Sequence, residues 1–300
     1  MSFVDVENKA ALARTTCGWR KPSLDRDAVR RYWRDVHSPA ISRRAGVYQY
    51  RHSPFDEVRA DLFDRLPGVE MSASPSAQLM WQSDVVYLDE SGAKQFMASP
   101  ADPEVTALLL QDIEMIVERS TTYRSVGANL HTYVDLTGDP TPQGPCPSPR
   151  FAVFVRTSVS ESVFRAAMRD LAKRWAATEG VMRLRMNLFD TPDMEAERKA
   201  GYPVKTHPQE LQYQAWIDLV LKDDGVAKGL LRGDEGDIFH TLHAYPVPAV
   251  YTFVWDGKPT LVGLRGFAAH QAIEGLGATH AQDPRLLEWM YGPVVGRRAS

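Results

Sequence analysis

The sequence predicts an α+β fold built from two copies of one β-α-β-β-α-β unit. Three observations support this prediction: a proline-rich segment divides the 300 residues near their middle, the two halves share one order of elements, and matching glycines stand at a constant offset. Apolar residues make up 44% of the chain and charged residues 24%, as in ordinary soluble globular proteins. A chain of this length buries a sizeable core without disulfides.

The dividing segment spans residues 137–150 and reads TGDPTPQGPCPSPR. Five of the 20 prolines lie in it, and proline removes backbone donors and disfavours helix, so we expect an extended linker. We therefore predict a first unit over residues 1–136 and a second unit over residues 151–300. The second unit ends in a C-terminal helical extension that includes a helix from Pro284 to Tyr291.

In the first half, the alternation of Leu12 to Lys21 indicates a strand. An amphipathic helix follows from Ser23, with apolar residues at every fourth position, and Pro39 ends it. Gly46 and Val47 open a second strand. A third strand is predicted over Ala77 to Leu88, and the run DESGAKQFMAS begins another helix.

The second half repeats this order. Phe151 to Thr157 is a predicted strand, a helix begins at Ser160, the next strand opens at Gly180-Val181, and Gln212 to Leu221 forms the third. Gly46-Val47 matches Gly180-Val181 at an offset of 134 residues, and Gly92-Ala93-Lys94 matches the run from Gly225 at about 133. Two matches at one offset indicate a duplicated unit.

This order of elements gives a four-stranded antiparallel sheet with helices on one face, the ferredoxin-like arrangement. The other face of each sheet is apolar enough to need cover. Two units cover each other face to face, so the sequence predicts a barrel-like sandwich with a central cavity.

The densest functional motif is Arg31 to Pro39, which reads RYWRDVHSP and is followed by the strand GVYQY. Together with the preceding CGWRKPSLDRDAV, it resembles the EthD family of the dimeric α+β barrel superfamily. The matching positions are Arg20, Lys21, Pro22, Leu24, Tyr32, Trp33, His37, Pro39, Gly46 and Tyr50. The resemblance covers about residues 11–120, and the second half shares only the general layout.

The resemblance implies an intramolecular dimeric α+β barrel and small-molecule chemistry, usually without a metal or organic cofactor. Relatives in the superfamily include lactone isomerases, polyketide cyclases, dehydratases, cofactor-free oxygenases and haem enzymes. The fold alone does not decide among these reactions.

His37 is the first catalytic candidate on physical grounds. It stands at the C-terminal end of a predicted helix, where the helix dipole favours imidazolium, and an imidazole suits general acid or base catalysis. The alternative is that His37 caps its own helix end. The second half lacks the motif, since no histidine follows Arg174-Trp175, so a histidine-dependent site is asymmetric.

Strand alternation supplies the remaining candidates. Tyr48, Tyr50 and His52 share one face of their strand. Arg183, Arg185 and Asn187 share a face opposite Met182, Leu184 and Met186. Because the apolar row fits under helices, we expect the polar row to face the cavity, where a guanidinium can hold a substrate oxygen. The alternative is a solvated, salt-bridged strand face. Trp81 and Trp216 line either the core or the pocket, and Asp84 and Asp218 occupy similar places in the two third strands.

These residues define a functional hypothesis. We predict a cofactor-independent enzyme of lyase, dehydratase, isomerase or cyclase type that transfers a proton on an aromatic or carbonyl-containing metabolite. His37 is the acid or base, and Tyr50 and Arg183 polarise a substrate oxygen. The predicted substrate-binding residues are Tyr32, Trp33, Tyr48, His52, Arg185, Asn187, Trp81 and Trp216. Alternatives are a non-catalytic ligand-binding or pathway-support protein, a cofactor-free oxygenase, or a haem enzyme with His131, His240 or His243 as the haem ligand.

The composition and the absence of binding motifs favour a small molecule as the partner. The 35 basic and 38 acidic residues leave a net charge of −3, which does not favour nucleic acid, and no apolar run suggests a membrane span. His240 and His243 stand three apart without an acidic partner, so we expect no metal site. Two cysteines, a polar start unlike a signal peptide and no nucleotide-binding motif favour a cytoplasmic protein. Homodimer formation stays open.

Overall fold

The first half of the chain forms four strands of one sheet and the helices that cover it. The computed structural model describes residues 2–100, 102–192 and 205–292. The strands are β1 (Leu12–Arg20), β2 (Gln49–Pro54), β3 (Trp81–Tyr87) and β4 (Val117–Val126). The helices are α1 (Phe3–Glu7), α2 (Arg26–Tyr32), α3 (Ser38–Ile41), α4 (Glu90–Met97) and α5 (Pro103–Ile116).

The second half repeats this order of elements, with one long α-helix in its unit. From residue 130 onward the strands are β5 (Leu130–Asp135), β6 (Gln143–Pro145), β7 (Arg150–Thr157), β8 (Val181–Leu188), β9 (Lys205–Thr206), β10 (Ala215–Leu221), β11 (Phe239–Pro246), β12 (Ala249–Trp255) and β13 (Lys258–Pro259). Its helices are α6 (Glu161–Ala176), α7 (Leu261–Arg265), α8 (Phe267–Gly275) and α9 (Pro284–Tyr291). Between β10 and β11, where a helix is expected, two 3-10 turns form at Asp224–Ala227 and Gly233–Asp237. Their glycines disfavour an α-helix.

The strand orders confirm the α+β class and the two ferredoxin-like units. The first sheet runs β13-β12-β2-β3-β1-β4-β9, and β6 pairs with β12; the second runs β11-β7-β10-β8-β5. In each half the first and third strands of the unit lie in the centre, flanked by the second and fourth, as in the ferredoxin-like arrangement. The units pack sheet to sheet, in the manner of a dimeric α+β barrel within one chain.

Each half donates a strand to the other half's sheet. Strand β5 follows the first unit in sequence but pairs antiparallel with β8 of the second sheet. Strand β12 follows the second unit and pairs antiparallel with β2 of the first sheet. Within the predicted linker, β6 pairs with β12 instead of running free. The boundary in sequence therefore does not separate the two sheets in space.

The matched glycines have a shared structural role. Gly46 and Gly180 both adopt positive φ, 80° and 89°, in the turn before the second strand of each unit. A Cβ on Gly46 would lie 2.1 Å from the carbonyl oxygen of Gly92, and one on Gly180 would lie 2.6 Å from Val226. The turn thus packs against the segment that follows the third strand in both halves. This close packing explains why glycine stands at both of these positions, one offset apart.

The space between the sheets holds an apolar cluster and a charged one. Cys17 and Tyr123 of the first sheet pack with Phe154, Trp216 and Tyr245 of the second. The charged cluster contains four carboxylates and four guanidiniums, all from the inner strand faces and the end of α1. Its members are Glu7, Arg51, Asp84, Asp135, Arg150, Arg183, Arg185 and Asp218.

Candidate active site

The first sheet presents two chemically different faces. Strand alternation turns Ser83 and Val85 toward the helices and Asp84 toward the second sheet. In the same way, Thr16 faces the helices while Thr15 donates a hydrogen bond to Asp84 at 2.8 Å. The predicted site residues therefore divide into two groups that the sheet separates.

Arg183 lies in the charged cluster between the sheets. Its Nη2 donates to both oxygens of Glu7 at 2.9 Å, its Nε donates to Asp218 at 2.8 Å, and its Nη1 contacts Asp135. Arg51 completes the pairing of Glu7 at 2.6 Å. Burial alone raises the pKa of Glu7, but the guanidiniums of Arg183 and Arg51 outweigh it and hold this pKa well below its usual range.

Arg185 and Asn187 also lie on the inner face of the second sheet, as strand alternation predicts. Leu184 and Met186 pack under α6, as expected for the apolar row. Arg185 pairs with Asp84 at 3.2 Å, and the Asn187 amide donates to Thr15 at 3.2 Å. Burial is the main cause that raises the pKa of Asp84.

The structure thus corrects the composition of the predicted site. Arg183, Arg185 and Asn187 do not meet His37, because the first sheet stands between them. The expected cavity between the sheets is filled here by ion pairs. Trp216 belongs to the apolar cluster of that same interior and does not line the cavity described next.

A largely apolar cavity lies on the helix-covered face of the first sheet, beneath α2 to α5. Its volume is about 240 Å³. A cavity of about 150 Å³ accommodates benzene, so this one has room for a larger ring system. Its lining is mostly apolar, and it consists of Arg14, Thr16, Trp33, His37, Ile41, Arg44, Tyr50, Trp81, Ser83, Val85, Tyr87, Phe96, Met97, Thr106, Leu109, Leu110, Ile113, Val117, Ser120 and Thr122.

A π-helical turn at Trp33–His37 brings His37 to the cavity wall. The Ser38 amide donates to the Trp33 carbonyl five residues back. Pro39 follows without an N–H group, so the α-helical pattern is interrupted at this point. The rings of Trp33 and His37 lie with centroids 4.2 Å apart and planes tilted by 34°, and both line the cavity.

Asp112 of α5 lies beside the imidazole of His37. Its Oδ2 is 3.6 Å from His37 Nδ1, which is too long for a hydrogen bond but within ion-pair distance when the imidazole is protonated. Its Oδ1 accepts a hydrogen bond from the Tyr32 hydroxyl at 2.5 Å. The His37 ring is the largest cause that lowers the pKa of Asp112, and Tyr32 adds to it. Burial and this hydrogen bond raise the pKa of Tyr32 to about 12.

Trp33 and Trp81 form an aromatic wall beside the pair of His37 and Asp112. Trp33 and Trp81 lie with ring centroids 4.6 Å apart. Trp81 packs so closely on β1 that a Cβ on Gly18 would lie 2.1 Å from its ring, so glycine is required there. The Trp33 indole donates to Ser83 Oγ at 3.3 Å, and His52 Nδ1 lies 3.2 Å from the same hydroxyl.

The predicted tyrosines and His52 have different surroundings. Tyr50 lines the cavity, and its hydroxyl donates to Ser38 Oγ at 2.8 Å. Tyr48 does not share this face; it precedes β2, packs with Ala13, and donates to the Val6 carbonyl at 2.9 Å. His52 is buried behind Trp33, and burial lowers its pKa to about 3.

Asp112 is the residue that sequence reasoning missed. A usable signal is present, because Leu109, Asp112, Ile113 and Ile116 stand at helical spacing on one face of α5. A carboxylate on an otherwise apolar helix face needs a polar partner when it meets the core. Tyr32 and His37 are those partners, but they lie 80 and 75 positions away in the sequence.

The histidines considered as haem or metal ligands lie elsewhere. His131 and His240 are exposed, and His243 is buried with its Nδ1 2.8 Å from the Tyr213 hydroxyl. His240 and His243 lie on opposite faces of β11, so they cannot share a metal. Within residues 2–100, 102–192 and 205–292, no group of three or more His, Cys, Asp or Glu side chains has a metal-binding arrangement.

None of the described helices is long and apolar enough to cross a membrane. The predicted C-terminal helix is present as α9, with Tyr291 under the guanidinium of Arg43 at 4.8 Å and Trp289 82% exposed.

Comparisons with known proteins give a fold-level likeness only. No protein-family model and no curated protein matches the chain. A candidate monooxygenase from Fusobacterium nucleatum is 9% identical over 81% of this chain and 94% of its own, with a TM-score of 0.44. A candidate monooxygenase from Lactobacillus acidophilus is 7% identical over 81% and 96%, with a TM-score of 0.43. An anthrone oxidase-like protein is 10% identical over 82% and 94%, with a TM-score of 0.45.

Such low identities and TM-scores transfer no reaction to this chain. The EthD resemblance of residues 11–120 stays a prediction. Function must therefore be argued from the cavity itself.

Proposed function

We propose that the protein is a small-molecule enzyme in which His37, oriented by Asp112, transfers a proton to or from a substrate in the cavity beneath α2 to α5. The reaction class is the lyase, isomerase or cyclase type that the sequence predicts. The proposal rests on one observation: a carboxylate–imidazole pair stands at the wall of an apolar cavity large enough for a ring system. Three residues of the EthD-like motif, Trp33, His37 and Tyr50, line this same cavity.

The geometry suits general base catalysis. Nδ1 of His37 is turned toward Asp112, so Nε2 is the nitrogen available to a bound molecule. When Nε2 removes a proton from a carbon next to a carbonyl, the C–H bond breaks, an N–H bond forms and the electron pair becomes an enolate. The ionised Asp112 then stabilises the imidazolium. Such dyads often tighten only when substrate is bound, so the 3.6 Å separation fits this role.

The surrounding residues support the same chemistry. The apolar walls exclude water, which strengthens the electrostatic interaction between Asp112 and the developing imidazolium. Trp33 and Trp81 offer flat surfaces for an aromatic or conjugated ring. Ser83 presents a hydroxyl to the cavity beside them. Arg183, whose guanidinium pairs with three carboxylates between the sheets, has no role in this proposal.

Hydrogen–deuterium exchange of 1-tetralone tests the proposal without the natural substrate. The enzyme is incubated in deuterated buffer, and NMR follows the loss of the protons next to the carbonyl. We expect catalysed exchange that His37→Gln lowers by about 10²- to 10⁴-fold, the usual contribution of a general base. Asp112→Asn should lower exchange by at least tenfold, because it leaves the imidazolium without its counter-charge.

His280→Gln is the matched control, since His280 is exposed and does not line this cavity. It should exchange 1-tetralone at the wild-type rate, and thermal unfolding should show that all three variants remain folded. Exchange that survives in His37→Gln would refute the assignment.

The same experiment separates the principal alternative, a non-catalytic ligand-binding protein. That function is favoured by the mostly apolar lining of the cavity. If 1-tetralone binds with equal affinity to the wild type and to His37→Gln but neither accelerates exchange, the cavity binds ligands without proton transfer.

A further inference from the structure

One charged residue of the cavity has no partner among the described residues. Arg14 of β1 is half-buried and lines the cavity wall. Its guanidinium forms no hydrogen bond, ion pair or ring contact within the part of the chain that the structure describes. A guanidinium has five donors in a planar fork that matches a carboxylate, so an unpaired one in an apolar cavity is chemically conspicuous.

The neighbouring arginines differ from Arg14 in this respect. Arg44, the other arginine of the lining, stacks over Phe96 at 3.9 Å and donates to the Ser99 carbonyl. Arg124 faces Arg14 directly across the β1–β4 ladder, but it pairs with Glu90 and lies 3.8 Å from Asp190. Local carboxylates thus neutralise Arg124 and leave Arg14 uncompensated.

Among the described residues, the cavity wall around Arg14 carries no carboxylate, and Glu90, the one carboxylate of the adjoining surface pocket that Arg14 also lines, pairs with Arg124. The lining contains no aspartate or glutamate, and the lining residues next to Arg14 along β1 and β4 are Thr16 and Thr122. These two hydroxyls are 3.0 Å apart and hydrogen-bond each other. A cation without a counter-ion, set beside neutral hydroxyls in an apolar cavity, favours a ligand that brings the negative charge itself.

We infer that the cavity takes an apolar ring compound with one carboxylate, which Arg14 binds. This inference deepens the proposed function, because it names the substrate class of the cavity that His37 serves. The carboxylate is favoured over a phosphate because the wall offers one unpaired guanidinium and no helix N-terminus or second free cation among the described lining residues. His37 then acts on another part of the same molecule.

Binding of 1-naphthoate and 1-naphthamide tests the inference. The two probes have the same ring and nearly the same shape, but only naphthoate is charged at pH 7.5. Isothermal titration calorimetry should show that the wild type prefers naphthoate. Arg14→Gln should weaken naphthoate binding by about 10- to 100-fold, the usual range for a charge-assisted hydrogen bond, and leave naphthamide binding unchanged.

Two further variants make the result specific. Arg14→Lys keeps the charge and should retain part of the preference for naphthoate. Arg124→Gln removes the facing guanidinium that already has carboxylate partners, and it should change neither affinity.

Each possible result of these titrations either supports or overturns the inference. The inference is overturned if the wild type binds both probes equally or binds neither at millimolar concentration, or if Arg14→Gln weakens both to the same extent. His37→Gln should still bind naphthoate with wild-type affinity. Failure of the proton-transfer proposal therefore leaves this binding result intact, and the two failures are distinguishable.

Discussion

The charged cluster between the sheets predicts a large and pH-dependent loss of stability in Arg183→Met. Methionine fills much of the same space but removes the contacts to Glu7, Asp135 and Asp218. Asp218 keeps its pair with Arg150, and Glu7 keeps Arg51. Asp135, whose side chain is 1% exposed, loses its ionic partner. Breaking a buried ion pair from one side costs about 3–5 kcal/mol, so we expect a loss in that range at pH 7.

The pH dependence follows from the lowered carboxyl pKa values. The folded-state pKa values of Glu7 and Asp218 lie below their usual range, because the arginines outweigh the effect of burial. The stability that these groups contribute is therefore fully present above about pH 4–5 and lost as the pH falls through the folded-state values. In Arg183→Met the carboxylates lose that support and protonate more readily. The gap in stability between variant and wild type should shrink as the pH falls below 4.

Urea unfolding at pH 7 and at pH 3.5 measures both effects. Arg124→Met is the matched control, because Arg124 is 49% exposed and its partners Glu90 and Asp190 are 59% and 35% exposed. Such surface pairs contribute less than about 1 kcal/mol. The reasoning is refuted if Arg183→Met costs no more than Arg124→Met, or if its cost is the same at both pH values.

Two other predictions concern a turn and a buried histidine. Gly46→Ala should destabilise the protein by at least about 2 kcal/mol, since it adds a contact 2.1 Å from a carbonyl oxygen to the strain of φ 80°. Gly68→Ala, at φ 77° with open space around it, should cost only about 1 kcal/mol in the same unfolding assay, and equal losses would contradict the packing argument. The pKa of His52 is lowered to about 3, so its ring should stay neutral, with unchanged NMR shifts, from pH 8 to pH 5. A ring that titrates near 6.5 would show that His52 is not buried as described.

The repeat could be predicted from the sequence because it is a local signal copied at a constant distance. Gly46 and Gly180, Arg51 and Arg185, and Asp84 and Asp218 all differ by 134 positions. In the structure Arg51 lies opposite Asp84 and Arg185 lies opposite Asp218 in the corresponding strand pairs. The offset therefore extends from the turns to the charged residues of the inner strand faces.

The position of the cavity could not be predicted, because it depends on contacts between distant segments. Strand alternation correctly places Arg183 on the inner face, but its partner Glu7 comes from the N-terminal helix, 176 residues away. A second partner, Asp135, lies on β5, which follows the first unit in sequence but pairs in the second sheet. No local sequence pattern predicts either of these contacts. These carboxylates turn an expected binding surface into a structural ion-pair cluster.

Pairing within the chain therefore distinguishes structural from functional charge in this protein. Burying an arginine costs free energy, so a guanidinium that serves only the fold is expected to meet a carboxylate, a carbonyl or an aromatic ring of the same chain. Arg183 and Arg150 obey this expectation between the sheets, and Arg124 obeys it beside the cavity. Arg14 does not, and neither stability nor solubility requires a half-buried cation against an apolar wall. A bound anion satisfies this guanidinium where the fold does not, and so the unpaired charge points to the molecule that the cavity receives.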